Sequence, residues 1–269
     1  MSSIALNSSA TGLSALNTQL DVIANNLANA STPGFKRFRV NLEDLAYIEK
    51  NQPGVESQLA DATRPIGLFV GLGVEATGTQ QHHTEGAPIP TGNNLDLMIN
   101  GNGFFRVNVG ELGGNGIAYT RAGQFTQDQD GRLVMANSMG YALEPEIVIP
   151  PDALTVNINN NGLVTYTLQN QPQPVEAGTI QISTFQNPSG LAPIGENLLL
   201  ETYASGTENQ GDPGTEGRGL FRSGHIEGSN VDPVIELVDL IRTQRSFEMN
   251  SQALKAADET LQTVVNMTR

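Results

Sequence analysis

Three histidines, a surplus of carboxylates and no cysteine bound the chemistry open to this 269-residue chain. His82 and His83 stand side by side, with Glu85 close behind. Adjacent residues of an extended segment point to opposite sides, and metal ligands come at helical or turn spacing. The pair therefore reads as a solvated loop. Asp128-x-Asp130-Gly131 imitates the start of a calcium loop, but the glycine comes too early and Met139 stands where the closing glutamate belongs. Serine, histidine and aspartate all occur without a GxSxG elbow, and His225 near Glu227 reads as a surface pair. The glycines at 71 and 73, and Gly101-Asn102-Gly103, neither extend to GxGxxG nor open a helix, which makes them bulges or turns between strands. The lack of cysteine removes disulfides, thiol catalysis and thiolate-bound zinc. No catalytic residue, cofactor or metal is expected, and the chain reads as a non-enzyme. A hydrolase would need paired carboxylates of perturbed acidity in a cleft.

Composition narrows the partners. The formal charge is -14, with 28 acidic against 14 basic residues. Nucleic acid and anionic membrane both repel such a surface. The stretch IGLFVGLGV at 66–74 is too short to cross a bilayer, so no membrane insertion is expected. The opening MSSIALNSSATG lacks the basic start and unbroken apolar run of a cleaved signal. Such a chain stays in the cytoplasm or leaves by a route that cleaves nothing. The absence of tryptophan and the abundance of Gly, Asn, Gln, Ser and Thr suit β-rich, turn-rich surface or filament subunits.

The elements that would carry any site lie in a simple order. Leu6, Leu13, Leu20 and Leu27 recur every seventh residue, and Leu16, Ile23 and Ala30 follow three behind, with Ser9 breaking that second row. Two such rows make a coiled-coil seam. Asp21 is the sole charged residue from Met1 to Phe35, unlike the Lys- and Glu-rich outer face of a solvated helix. The pattern stops at Ser31-Thr32-Pro33-Gly34. The basic cluster Lys36, Arg37 and Arg39, interleaved with Phe35 and Phe38, is expected to pair with local carboxylates such as Glu43 and Asp44. Residues 48–66 read as a long loop. From 95 to 200 short apolar runs alternate with turns: LDLMI, FFRVNV, IAYTR, RLVMA, EIVIP and GTIQISTF, with hairpin turns at Asp130-Gly131 and Asn161-Gly162. Residues 203–219 read as a mobile loop. Asp232-Pro233 then opens a last helix as N-cap and first-turn proline. In it Leu240, Phe247, Leu254 and Leu261 again recur every seventh residue, supported by Val234, Leu237, Ile241, Ala257 and Val264.

The expected fold is α+β: N- and C-terminal helices forming a coiled coil, with a central antiparallel all-β domain. Its parts are an N-terminal helix at 1–34, an extended connector at 35–80, the β domain at 81–228 and a C-terminal helix at 229–269. Two helices alone bury too little apolar surface to offset the entropy of ordering them. Other copies of the chain are expected to complete the packing, with ends poorly ordered in the monomer and helical in an assembly. The polymerisation seam would be Leu6, Leu13, Leu16, Leu20, Ile23, Leu27, Leu237, Leu240, Ile241, Phe247, Leu254 and Leu261.

Four stretches resemble one family. LDVIANNLANASTPGFKR (20–37) is similar to the N-terminal signature of bacterial flagellar rod and hook proteins. NLDLMINGNGFFRV (94–107), AYTRAGQFTQDQDGRLV (118–134) and GHIEGSNVDPVIELVDLIRTQRSFEMNSQAL (224–254) resemble that family's body and C-terminal helix. Residues 47–79 resemble the extra segment of its distal rod members, which hook protein lacks. The resemblance implies a structural subunit of the distal rod, exported without a cleaved signal through the flagellar type III apparatus. Such subunits stack into a rigid helical tube across the periplasm, which encloses the export channel and transmits torque. Implied partners are further copies of the chain, proximal rod and hook-side axial proteins, and the surrounding peptidoglycan and outer-membrane rings. Asn25, Asn26, Asn29, Gly34, Phe35 and Lys36 match the family motif, and the asparagines would fix register between chains. LEDLA at 42–46 departs from the pattern, which moves the export-gate motif to Phe38 and Leu42. Another axial subunit, proximal rod or hook-type, and a secreted oligomeric adhesin stand as alternatives.

Overall fold

The computed structural model describes residues 2–53, 66–110, 116–168 and 171–267. It is a mixed α and β chain with a helix at each end and a mostly β centre. Two compact units share the chain: Met1–Ala28, Phe38–Gln80 and Asp232–Arg269 form one, Asn29–Arg37 and Gln81–Val231 the other.

In the first unit, helix α1 spans Ser2–Ala28 and helix α2 spans Pro233–Met267. Asp232 caps α2 as its position before proline requires, with Oδ1 accepting from the Val234 amide at 2.9 Å. The helices run antiparallel, Gly12 lying by Asn250 and Asn26 by Glu236. A side chain at Gly12 would place its Cβ 2.7 Å from Asn250 Nδ2, so glycine permits this approach. Strand Phe38–Asp44 pairs with Val74–Gln81. The long loop expected at 48–66 is replaced in part by strand. Tyr47–Asn51 pairs antiparallel with Leu68–Gly71, Ile48 opposite Val70. The β-branched and aromatic residues of both arms favour that pairing; residues 54–65 of this segment lie outside the described residues.

In the second unit, a seven-stranded antiparallel sheet is built in the order Ala192–Gly195, Leu198–Leu200, Ile117–Thr120, Phe105–Asn108, Ala142–Leu143, Leu133–Met135, Phe125–Gln127. Both expected turns close hairpins with glycine at positive φ, Gly131 at 76° and Gly162 at 79°. The second joins Ala153–Ile158 to Leu163–Leu168. Alternation along a strand sends Phe105 and Phe104 to opposite sides. Phe105 stacks on Phe221 at 5.6 Å within the main core of Leu97, Ile99, Val107, Phe125 and Ile182. Phe104 joins a second cluster with Tyr119, Phe185, Leu191 and Leu199.

Two further expectations need correction. EIVIP forms no continuous strand; Val148 makes a single bridge to Arg132, although Ile147 and Ile149 are buried. Pro145 and Pro150 bracket the run and have no N–H to extend a ladder. Within 203–219, read as a mobile loop, Asn209–Gly211 is a strand paired with Ile182–Thr184, and Arg218 is buried.

Candidate functional site

The motif residues gather at two places, one in each unit. In the first unit, Asn26 is buried, and its amide engages both backbone groups of Phe38. Nδ2 donates to the Phe38 carbonyl at 2.8 Å, and Oδ1 accepts from the Phe38 amide at 2.9 Å. Nδ2 also donates to Glu236 Oε2 at 3.3 Å. One asparagine thus ties α1 to the strand that follows it and to the start of α2. A hydrophobic residue would leave those backbone groups unmet, at about 1–3 kcal/mol. Asn25 is exposed. Asn29, which belongs to the second unit, is half-buried and accepts from the Thr32 hydroxyl at 3.1 Å.

In the second unit, Gly34, Phe35 and Lys36 are threaded through the β structure. Gly34 has φ 73°, and a Cβ there would come 2.7 Å from the Ala122 amide nitrogen. Its own amide donates to the Glu227 carbonyl at 2.8 Å. Phe35 is half-buried, and its carbonyl accepts from the Asn230 amide. Lys36 is 1% exposed, and its Nζ meets Glu227 Oε1 at 2.5 Å and the Thr84 carbonyl at 2.6 Å. Arg121 shares the carboxylate, Nη1 lying 3.3 Å from Glu227 Oε2, and donates to the carbonyls of Ile99 and Gly101. The Gly86 amide adds a bond to Glu227 at 2.9 Å. Burial lowers the basicity of Lys36 and of Arg121, while Glu227 opposes that effect in both.

Three sequence expectations are overturned here. Lys36 does not pair with the nearby Glu43 or Asp44, both exposed, but with Glu227, 191 residues away. Glu227 is no surface partner of His225: it is buried under two cations, and His225 Nδ1 lies 3.0 Å from the Ser223 carbonyl. His83 is not a solvated loop residue. Its ring nitrogens are buried and its ring meets Phe104 edge-on at 5.5 Å. Burial, with Lys36 and Arg121 adding positive charge nearby, lowers its pKa to about 4.

Along the helices, Ile23 is buried, and Leu6, Leu13, Leu16, Leu20 and Leu27 are half-buried. On α2 a row of less exposed positions runs Glu236, Leu240, Thr243, Phe247, Asn250, Leu254, Ala257 and Leu261, flanked by the half-buried Asp239, Ser246 and Ser251. The row's alternating steps of four and three make a heptad stripe. Half of this stripe is polar or small, and hydropathy alone gives no signal for such a row. Leu237 and Ile241 lie off it, 46% and 49% exposed, and Val234, Ile235 and Val238 share their exposure. Phe38 is half-buried and Leu42 is 42% exposed. Among the described residues no cluster of His, Cys, Asp and Glu has the make-up of a metal site, and no helix is long and apolar enough to cross a membrane.

A chain with a helix at each terminus, one of them carrying an uncovered apolar face, and a mostly β centre has the build of an assembly subunit. Three family models match it in chain order: flagella basal body rod protein at 6–36, flagellar hook protein FlgE/F/G D1 domain at 98–166, and flagellar basal body rod FlgEFG protein C-terminal at 222–267. These define the class, an axial flagellar protein. Full-length relatives are more particular. The flagellar basal-body rod protein FlgG of Buchnera aphidicola is 44% identical over 94% of this chain and 95% of its own. That of Agrobacterium fabrum is 41% identical over 95% of each chain, and that of Bacillus subtilis 37% over 98% of each. The chain belongs to the FlgG family of flagellar basal-body rod proteins.

Proposed function

We propose that this rod subunit polymerises through its terminal helices into a rigid helical tube, the distal rod, which encloses the export channel and transmits torque. The observation that carries the reading is the apolar stripe of Val234, Ile235, Leu237, Val238 and Ile241, left exposed in the single chain. Exposed apolar surface of that extent marks an interaction face. The remaining seam leucines complete a coiled-coil inner layer, in which Asn26 sets the register of α1 against α2 through Phe38 and Glu236. The β domain is the outer layer, facing the peptidoglycan and outer-membrane rings, and proximal rod and hook-side proteins continue the axis at either end. Export proceeds through the flagellar apparatus without a cleaved signal, with Phe38 and Leu42 as the gate motif. The chain's role is mechanical, with no catalytic step.

The test is a pair of substitutions, Leu237→Asp and Ile241→Asp. Both sites are exposed, so the soluble chain should keep its helical circular dichroism and stability to within about 0.5 kcal/mol. Polymerisation, seen as tubes by electron microscopy and as swarming in cells, should fail. Normal swarming with both aspartates present refutes the seam. Small closed rings of the unaltered chain at high concentration favour the adhesin alternative.

A further inference from the structure

Val234, Leu237, Val238 and Ile241 stand at i, i+3, i+4 and i+7 of α2, on one face of the helix, and all four are exposed. The charges next to this stripe are met within the chain: Glu236 is buried and accepts from Asn26, and Asp239 is 3.7 Å from Arg242. The stripe therefore offers apolar surface and little else. It gains most from covering where the opposing surface has no charge to desolvate.

Such a surface lies at the start of α1. Ile4, Leu6, Asn7 and Ala10 line an open groove of about 520 Å³, together with Leu72. From Ser2 to Leu20 no side chain carries a charge. The hairpin of Tyr47–Asn51 and Leu68–Gly71 also exposes Tyr47, Ile48, Leu68 and Phe69, but there Glu49 stands directly opposite Phe69 and Lys50 follows it. An apolar face laid on the hairpin would strip water from those charges; the groove imposes no such cost.

Groove and stripe sit at opposite ends of the helix pair. Gly12 lies by Asn250 and Asn26 by Glu236, and the twenty residues from Leu6 to Asn26 rise about 30 Å. A copy therefore cannot fill its own groove. Stripe against stripe would be a two-fold contact that closes on a dimer. Unlike surfaces at opposite ends pass the contact from copy to copy and leave the chain of copies open.

We propose that the α2 stripe of one copy docks in the α1 groove of the next, a head-to-tail contact between copies of this chain. The contact rests on the polymer reading and names one joint within it. The chain has no cysteine, so introduced thiols report only on themselves. Ala10→Cys and Leu237→Cys are combined in the full-length chain, tubes are assembled at high concentration, and a short bis-maleimide is added, which links neighbouring thiols without requiring disulfide geometry. Denaturing gels should show a ladder of dimers, trimers and longer species. An equal mixture of the two single variants, with one thiol per copy, should stop at dimers. If cysteine at these sites blocks assembly, Asn7→Cys with Ile241→Cys is read in the same way. Tubes that yield only monomers, or dimers no more abundant than those of Leu237→Cys alone, overturn the contact and leave the polymer reading standing. An unaltered chain that forms no tubes defeats the polymer reading and this contact with it.

Discussion

Replacing Glu227 by glutamine tests the buried network most directly. The amide keeps the shape of the side chain but leaves Lys36 and Arg121, both almost fully buried, without their shared counter-charge. Removing one partner of a buried ion pair costs about 3–5 kcal/mol, because the remaining charge stays desolvated. At a urea slope of about 2–3 kcal/mol per M, the unfolding midpoint should fall by about 1–2.5 M. Tyrosine fluorescence is the natural probe. The chain has no tryptophan, and Tyr119, Tyr141, Tyr166 and Tyr203 all lie in the second unit. Lys36→Met should cost less than Glu227→Gln, since Arg121 still neutralises the carboxylate. The double variant should recover part of the loss, because it no longer carries the unpaired ammonium. A Glu227→Gln midpoint within about 0.3 M of the unaltered chain would show that the network contributes little to stability.

Other outcomes follow from the same contacts. Gly34→Ala should destabilise the second unit by about 1–3 kcal/mol through its backbone conformation alone, with the clash against Ala122 added; a urea melt measures the total. Asn26→Ala should cost about 1–3 kcal/mol and speed hydrogen exchange at the Phe38 amide, which loses its partner; unchanged exchange there would contradict the bond. His83 titrates near pH 4 when folded and near 6.5 when unfolded. Above pH 6.5 it is neutral in both states and contributes nothing. As pH falls from 6.5 to 4 the unfolded chain takes up the proton first, so stability drops by up to about 3 kcal/mol. His83→Gln should lose less over that window, measured as the difference between the two chains' urea midpoints at each pH.

Local features carried much of this protein in its sequence. Heptad leucines, the Asp232-Pro233 helix start and the Asn161-Gly162 and Asp130-Gly131 turns each depend on neighbours within a few residues, so their effect is readable without a fold. The motif from Leu20 to Arg37 was legible for the same reason, and it pointed to the family. What lay beyond reach was every pairing across long separations. Lys36 had nearer carboxylates at Glu43 and Asp44, and only the tertiary fold that brings residue 227 beside residue 36 decides its partner. His83 looked solvated because its neighbours along the chain are polar; Phe104, 21 residues on, packs against its ring. The polar stripe of Glu236, Thr243 and Asn250 gave no hydrophobic signal, and tertiary packing alone turned it inward while leaving Leu237 and Ile241 outside. Periodicity states that a helix has a face, but which face is covered depends on what the rest of the chain sets against it.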